Sequence, residues 1–365
     1  MRLQLKSIPA AALLLAGPAL AEDVEVHGVV SMYADDDATT VVSPRTRVTG
    51  RPNEDWAIWA GWAADVTTSA SVDVTTSATP RSKAWDETRH EVFGSLSTTQ
   101  GDVGASAGAV YSTEEDWESI GTFGGASVDL LQKNVTLSGR YGLSIETIGR
   151  AMDANFARPL TVHTGEAGFT QVLSPWAIGQ ISYTLTAAEG YQQSVYRYVP
   201  VQRSFSETVL PENHPSSRLR HAFTLRANQH LFSDSAIQGD YRLYLDDWGV
   251  LSHTVGLRYL IHFTPGLTLR LRARGYLQAG ADFYRDEYAS TDGTVPTFVS
   301  RDREISDLLG LLGGVKAAWR FDGLGPISYM EVDAKGDVFQ YTYSDYSELA
   351  GRVGWVGEGG LGGGF

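Results

Sequence analysis

One stretch, Leu251 to Tyr284, limits most strongly what this chain can fold into. Leu251, His253, Val255, Leu257, Tyr259, Ile261 and Phe263 alternate with Ser252, Thr254, Gly256, Arg258, His262 and Thr264; Leu260 is the one clear breach. Pro265-Gly266 then turns the chain. Leu267, Leu269, Leu271, Ala273, Leu277, Ala279, Ala281 and Phe283 alternate in turn with Thr268, Arg270, Arg272, Arg274, Tyr276, Gln278 and Asp282. Side chains two apart on a strand share a face, so this is a hairpin with one apolar and one charged face. Its second strand is far longer than the five or six residues usual in globular proteins. Three arginines in register do not belong in a dry core, and leucines over that length do not belong in water. Lipid outside and water inside satisfy both faces, which is the logic of a transmembrane β-barrel.

The rest of the chain reads as sixteen such strands. They fall near Val24–Ala34, Val41–Gly50, Trp56–Val66, Thr88–Thr98, Asp102–Ser112, Glu118–Leu131, Val135–Ile148, Thr161–Leu173, Trp176–Ala187, Arg218–Phe232, Ala236–Trp248, Leu251–Thr264, Leu267–Tyr284, Asp307–Phe321, Ile327–Tyr341 and from Glu348 towards the end. The second is the least regular, because it contains Pro44. Fourteen strands is the alternative if Val41–Val66 pairs differently. Connection lengths give an independent check. The turns at Arg51–Asp55, Thr99–Gly101, Gln132–Asn134, Ser174-Pro175, Ser233–Ser235, Pro265-Gly266 and Asp322–Pro326 are short and alternate with the long connections Thr67–Glu87, Gly149–Leu160, Glu189–Ser217 and Arg285–Ser306. Short periplasmic turns and long extracellular loops are the outer-membrane pattern. A β-helix or propeller would show a fixed repeat, and a β-sandwich would have shorter strands.

The first residues fit export. Arg2 and Lys6 precede the apolar Ile8–Ala16, and Gly17-Pro18-Ala19-Leu20-Ala21 ends in a small-x-small cleavage pattern. Residues 1–21 are therefore expected to be a signal peptide for the general secretory pathway, and 22–365 the barrel domain. The final strand ends in Phe365, with Leu361, Trp355 and Val353 in the same parity. That resembles the signal read by the outer-membrane assembly machinery, although Gly357–Gly364 is rich in glycine. There is no cysteine, so disulfides and thiolate chemistry are excluded. A net charge of −14 argues against a nucleic-acid partner.

The inward parity is charged. Arg220, Arg226, Arg242, Arg258, Arg270, Arg272 and Arg274 point inward on the tenth to thirteenth strands, and Lys316 and Arg320 continue the series. The fifteenth strand reverses the sign, with Glu331, Asp333 and Asp337 around Lys335. A basic wall facing acidic groups sets a transverse field across an aqueous channel, and charged linings sort ions and polar solutes. Simple neutralisation of neighbouring charges in a wet interior explains the same residues equally well.

A second cluster is acidic and aromatic at the expected extracellular rim. It contains Asp35-Asp36-Asp37, Glu114-Glu115-Asp116-Trp117, Asp246-Asp247-Trp248 and Asp282-Phe283-Tyr284. Carboxylates from separate loops are the ligands Ca²⁺ prefers, but no segment follows an EF-hand pattern. Turn-forming Asp beside interfacial Trp and Tyr accounts for the cluster without an ion, so no metal and no cofactor is assigned. No catalytic residue is assigned either: Ser252 and His253 are adjacent on a strand and point to opposite faces.

Several stretches are similar to a bacterial family catalogued as domain of unknown function 3570. They are Tyr111-Ser-Thr-Glu-Glu-Asp-Trp-Glu-Ser119, Lys133-Asn-Val-Thr-Leu137, Phe169-Thr-Gln-Val-Leu-Ser174, Glu212-Asn-His-Pro-Ser-Ser-Arg218, Tyr241-Arg-Leu-Tyr-Leu-Asp-Asp-Trp-Gly249 with Ser252-His-Thr254, and Arg274-Gly-Tyr-Leu-Gln-Ala-Gly-Ala-Asp-Phe-Tyr284. The chain departs from the pattern at Val195, where a proline is expected. The resemblance implies an outer-membrane barrel, no established activity, and often a small lipoprotein encoded nearby. The expectation is an all-β outer-membrane barrel acting as a passive pore or as the barrel of a transport assembly. The alternatives are a non-conducting barrel that docks a periplasmic or lipoprotein partner and, less favoured, an enzyme.

Overall fold

The computed structural model describes residues 23–71, 85–203, 206–232, 234–290 and 294–365. The expected signal peptide lies outside them. The described strands are β1 (Asp23–Asp35), β2 (Thr39–Asn53), β3 (Trp56–Ser69), β4 (Trp85–Gln100), β5 (Val103–Thr113), β6 (Trp117–Leu130), β7 (Val135–Ile148), β8 (Arg158–Ser174), β9 (Ala177–Gly190), β10 (Tyr198–Arg203), β11 (Ser206–Pro211), β12 (Ser217–Leu231), β13 (Ser235–Asp246), β14 (Leu251–His262), β15 (Leu267–Ala279), β16 (Tyr288–Ser290), β17 (Leu308–Asp322), β18 (Tyr329–Tyr343) and β19 (Gly351–Gly364).

Sixteen of these close into one antiparallel barrel. Neighbours follow chain order from β1 to β9, continue through β12, β13, β14, β15, β17, β18 and β19, and return to β1. The seam is a full ladder, Glu25 opposite Gly364 and Asp35 opposite Gly354. Beyond it the Phe365 N–H donates to the Val24 carbonyl at 2.8 Å. Closure leaves no open strand edge, so no run of backbone N–H and C=O is stranded in lipid.

Pro44 is accommodated where the β2–β3 ladder lapses: Val42 pairs with Val66 and Arg45 with Ala63, with no pairs between. Its missing N–H is thus not needed there. The thirteenth strand of the sequence reading is shorter than expected. β15 ends at Ala279, and Ala281 and Tyr284 turn into a buried cluster with Trp248, Val250 and Ile305. Alternation alone does not show this ending, because Ala281 and Phe283 continue the parity after the ladder has stopped.

The outer face is apolar, with Val30, Ile120, Ile145, Ile181, Val255, Leu271, Leu277 and Val338 all exposed. Aromatic–histidine pairs recur on it at one diagonal offset. Tyr141 and His163, Tyr183 and His221, and Tyr241 and His253 are hydrogen-bonded between the Tyr hydroxyl and the ring Nδ1 at 2.7, 2.8 and 2.7 Å. Trp62 stacks on His90 at the same offset, with centroids 6.2 Å apart. In each pair the aromatic residue sits on one strand and the histidine two residues towards the extracellular end on the next. The histidines lie ten residues before Gln100, Leu173, Leu231 and Phe263, the outward positions that lead into the periplasmic turns. Ten residues at strand rise and a 45° tilt span about 23 Å, the height of an apolar belt of roughly 25 Å. The pairs therefore sit at its upper edge, where amphipathic rings are favoured.

Two of the long connections, Glu189–Ser217 and Arg285–Ser306, fold together. β10 pairs antiparallel with β11 and parallel with β16, making a three-stranded sheet over the long-loop mouth. Val199, Val201, Tyr288 and Val299 form its buried core.

Candidate functional site

The barrel's inner face is the site. Residues directly opposite across a ladder share a face, so the register traces it: Arg226 faces Asp240, Gln238 faces Arg258, and Arg258 faces Arg272. Arg270 faces Lys316, which faces Lys335, which faces Glu358. Arg220 faces Asp246 and Arg320 faces Glu331. Arg242 and Arg274 lie in the same parity, opposite Thr254 and Leu312.

Charge on this face is unevenly distributed around the ring. From β12 to β17 the cations Arg218, Arg220, Arg226, Arg242, Arg258, Arg270, Arg272, Arg274, Lys316 and Arg320 share the face with only Asp240, Asp246 and Asp322 among the carboxylates. From β18 through β19 and β1 to β8 the two signs are mixed, with Glu331, Asp333, Asp337, Glu358, Asp23, Glu25, Asp65, Glu91 and Glu166 outnumbering Lys335, Arg352, Arg45, Arg47, Arg51, Arg89 and Arg140 on the same face.

Several carboxylates lie flat over a glycine on the neighbouring strand. Asp337 is opposite Gly314, Asp333 opposite Gly360 and Asp240 opposite Gly256. A Cβ at any of these glycines would collide with the carboxylate. The missing side chain lets the carboxylate reach past its neighbour. Asp337 crosses Gly314 to take Arg272 in a two-armed pair, with Arg272 Nε 2.7 Å from Oδ1. Lys316 Nζ reaches Asp333 at 2.7 Å, His27 Nε2 reaches it at 3.2 Å, and Lys335 Nζ reaches Glu358 at 2.6 Å. Arg258 and Asp240 stand 3.4 Å apart. Arg320 instead covers the Tyr329 ring at 3.5 Å, Arg242 stands 5.4 Å from the Tyr244 ring, and Arg226 donates to Gln180 at 2.9 Å. Arg270 and Arg220 each keep a buried Nε with no hydrogen-bond partner. Neutralisation is therefore local and incomplete, and the arginine surplus stays on one side.

His27, Glu331 and Asp333 bring three potential metal-ligand atoms within 4.8 Å of one another, among the described residues. The Asp333 carboxylate is already held by Lys316, which disfavours a divalent cation there.

The acidic and aromatic residues of the rim are not gathered into one place. Asp246 accepts from Arg218 Nε at 2.8 Å, from the Tyr244 hydroxyl at 2.6 Å, and from the Trp248 and Val250 N–H groups. Asp247 accepts the Leu219 N–H at 2.9 Å. Trp248 donates its ring N–H to the Ser217 carbonyl and lies under the Arg218 guanidinium at 4.1 Å. Asp282 and Tyr284 join this same corner: the Asp282 N–H donates to the Trp248 carbonyl, and the Tyr284 hydroxyl to Asp345. The other group sits on the β5–β6 connection. Asp116 accepts from the Tyr196 hydroxyl, and Trp117 Nε1 donates to Glu146 at 3.0 Å. Burial there raises the Glu114 carboxyl, reinforced by nearby Asp116 and opposed by a Glu87 hydrogen bond and Arg89. Glu115 is exposed beside it. Asp116 and the corner carboxylates thus accept donors from the chain itself.

Sequence reasoning did not identify the network that ties the mouth sheet down. Glu212 is fully buried, accepts from Ser300 Oγ at 2.8 Å and from the Arg301 N–H at 3.0 Å, and lies 3.3 Å from Arg197. Arg197 also reaches Asp302 at 3.0 Å. Burial raises the Glu212 carboxyl against the pull of Arg197. His214, wedged against Trp248 and Phe283, is lowered to about 4 by burial. Arg303 pairs with Asp37 at 2.7 Å, and Arg301 with Asp286 at 2.9 Å and Glu348 at 3.2 Å. The sheet is thereby fastened to the β1–β2, β5–β6 and β18–β19 connections. The segment Glu212–Arg218 was visible as a motif; its partners, some ninety residues on, carried no periodic signal.

A closed antiparallel barrel of sixteen strands, apolar outside and charged inside, defines an outer-membrane β-barrel protein. The family described as "Protein of unknown function (DUF3570)" matches residues 30–157 and 150–356, and the chain belongs to it. Among solved structures, it is similar to a bacterial polysaccharide outer membrane secretin, at 10% identity over 94% of this chain and 98% of that one, with a TM-score of 0.50. It is also similar to OccK3 (OpdO) of Pseudomonas aeruginosa, at 11% identity over 95% and 96% with a TM-score of 0.47. The CymD monoaromatic hydrocarbon channel matches at 10% over 94% and 89% with a TM-score of 0.46. At these identities the likeness is one of fold. No curated protein matches the sequence.

Proposed function

We propose that this protein is a passive outer-membrane pore for charged, polar solutes. The observation that carries the reading is the one-sided surplus of arginine on the inner face, from Arg220 to Arg320, opposite an acidic arc. In a barrel of this size the interior is wide enough for an aqueous channel. A wall with a surplus of guanidinium groups, facing one on which carboxylates outnumber the cations, orients and sorts solutes that pass between them. Arg220, Arg226, Arg242, Arg258, Arg270, Arg272, Arg274, Lys316 and Arg320 form the basic lining. Glu331, Asp333 and Asp337, with Lys335 among them, form the start of the acidic one. Export would use the leader at residues 1–21 and the general secretory pathway, and insertion would use the assembly machinery acting on the Phe365 strand. Reconstitution in planar bilayers tests the pore: folded protein should give stepwise conductance that changes when Arg270 and Arg274 are replaced by Gln. Folded barrel with no conductance would overturn it.

A second reading is favoured by the mouth sheet. β10, β11 and β16 fold over one end of the barrel and are fastened by ion pairs. A barrel closed in this way at its long-loop end would not conduct, which leaves docking of a periplasmic or lipoprotein partner as its role. Stable co-purification of a small lipoprotein with a non-conducting barrel would establish it, and conductance by the isolated chain would count against it.

A further inference from the structure

Inward positions of this barrel are largely polar; apolar side chains stand among them at Trp59, Phe93, Phe123 and Leu260, and again where β15, β17, β18 and β19 approach the mouth. Leu308 and Leu312 have the inner parity, and Leu312 faces Arg274 on one side and Phe339 on the other. Gly310 lies between the two leucines. A Cβ there would come 2.7 Å from the Tyr341 ring, so the glycine lets that ring lie against the wall. The result is a cavity of about 300 Å³ lined by Arg274, Tyr276, Leu308, Leu312, Tyr341 and Arg352. Glu304, in a short 3₁₀ turn (Arg303–Ile305), closes one side with a carboxylate that offsets part of the Arg352 charge and leaves Arg274 as the main anchor for an anion. Gln278 Nε2 pins that turn by donating to the Glu304 and Ser306 carbonyls at 2.9 and 2.8 Å.

The two cations of the cavity are not fully used by the fold. Arg274 forms no ion pair among the described residues. Arg352 touches Asp35 at 3.5 Å, yet its buried Nε has no hydrogen-bond partner. Guanidinium forks match carboxylates in two-armed geometry. Leucine and tyrosine walls beside them exclude water from an apolar body.

We propose that this cavity is a binding site for a small organic anion, a carboxylate carried on a flat or cyclic apolar body. The inference rests on the pore reading for its physiological sense, and names the class of solute that pauses at the mouth. The volume sits at the lower end of ligand pockets, which limits the ligand to a single ring or its equivalent. Arg274 and Arg352 take the carboxylate, Leu308 and Leu312 take one face of the body, and Tyr276 and Tyr341 take its edges.

Titration calorimetry of the full chain, folded in detergent, with sodium benzoate tests the site. Acetate supplies the head without the body, and benzyl alcohol the body without the charge. Benzoate should bind saturably, and each partial probe about tenfold or more weakly. Arg274→Gln should weaken benzoate by about tenfold while leaving the fold intact, since no ion pair is lost. Leu308→Ala, a second variant, should weaken benzoate and leave acetate unchanged. Failure of benzoate to saturate, equal affinity for acetate, or unchanged benzoate affinity in both variants would overturn the site. Conductance is read separately: a conducting barrel without benzoate binding rejects the cavity and retains the pore, and binding without conductance does the reverse.

Discussion

Replacing Asp337 by Asn tests whether the inner-face pairs hold the wall together as well as charging it. The Asp337 side chain has no exposed surface, while that of Arg272 is 30% exposed. The substitution keeps the shape, removes the charge and turns an amide NH₂ towards a guanidinium that has no acceptor to offer. Removing one partner of a buried pair costs about 3–5 kcal/mol. Arg272 recovers part of that from lumenal water, so the expected loss is about 2–3 kcal/mol, within the range for a charge-assisted hydrogen bond. Urea unfolding of the barrel in micelles, followed by tryptophan fluorescence, measures it. The same variant should move the reversal potential in a salt gradient towards anions, because the basic arc loses its nearest compensating charge. Gly314→Ala separates the two effects. Its Cβ collides with the Asp337 carboxylate without altering any charge, so stability should fall while selectivity changes little. An Asp337→Asn barrel within about 0.5 kcal/mol of the parent would refute the reasoning, since that is the scatter of surface substitutions away from such features.

Four further outcomes follow from the same geometry. His214 is held neutral by burial with a folded value of about 4, below its free value of about 6.5; its contribution is intact above the free value and is lost as pH falls from there towards 4, to a limit of about 3 kcal/mol. Glu212, raised by burial, gains its proton over acid pH and offsets part of that loss; hydrogen-exchange protection of β10 should still drop between pH 7.5 and pH 5, and unchanged protection would exclude the mechanism. Tyr241→Phe strips the His253 Nδ1 of its partner on the apolar outer face and should cost about 1–2 kcal/mol in the same urea assay. Gly249 has φ +90° with its Cβ direction 2.5 Å from the Asp282 carboxylate; Gly249→Ala should cost about 1–3 kcal/mol and increase protease nicking at the Trp248 corner. Deleting Phe365 removes the terminal hydrogen bonds to Val24 and should slow assembly, seen as accumulation of the heat-unshifted form on gels.

Much of the barrel was legible because its physics is local. A strand between lipid and water must alternate, and alternation from Leu251 to Phe263, broken only by the inward Leu260, assigns side chains to faces without reference to any partner. The alternation of short and long connections then checked the strand number independently. The second strand survived its proline because the β2–β3 ladder pauses at that point, which only the register could reveal. Leu308 and Leu312 ran against the pattern: apolar residues on the inner parity look like noise until Arg274 and Arg352 are seen beside them.

What the sequence determined by itself is which residues face which solvent. That property repeats every two positions and depends on nothing farther away than the next turn. Which charges meet was decided by tertiary structure, because pairing crosses strands: Asp337 reaches Arg272 only because Gly314 lies between them in the closed sheet. The mouth sheet needed the fold even more. Glu212 and Ser300 are far apart in the chain, lie outside any alternating segment, and become partners only once the barrel brings the ends of β9 and β15 around the same opening. The same closure makes Leu251–Tyr284 part of a basic wall and carries its last residues, Ala281 to Tyr284, off the ladder into the packed corner around Trp248.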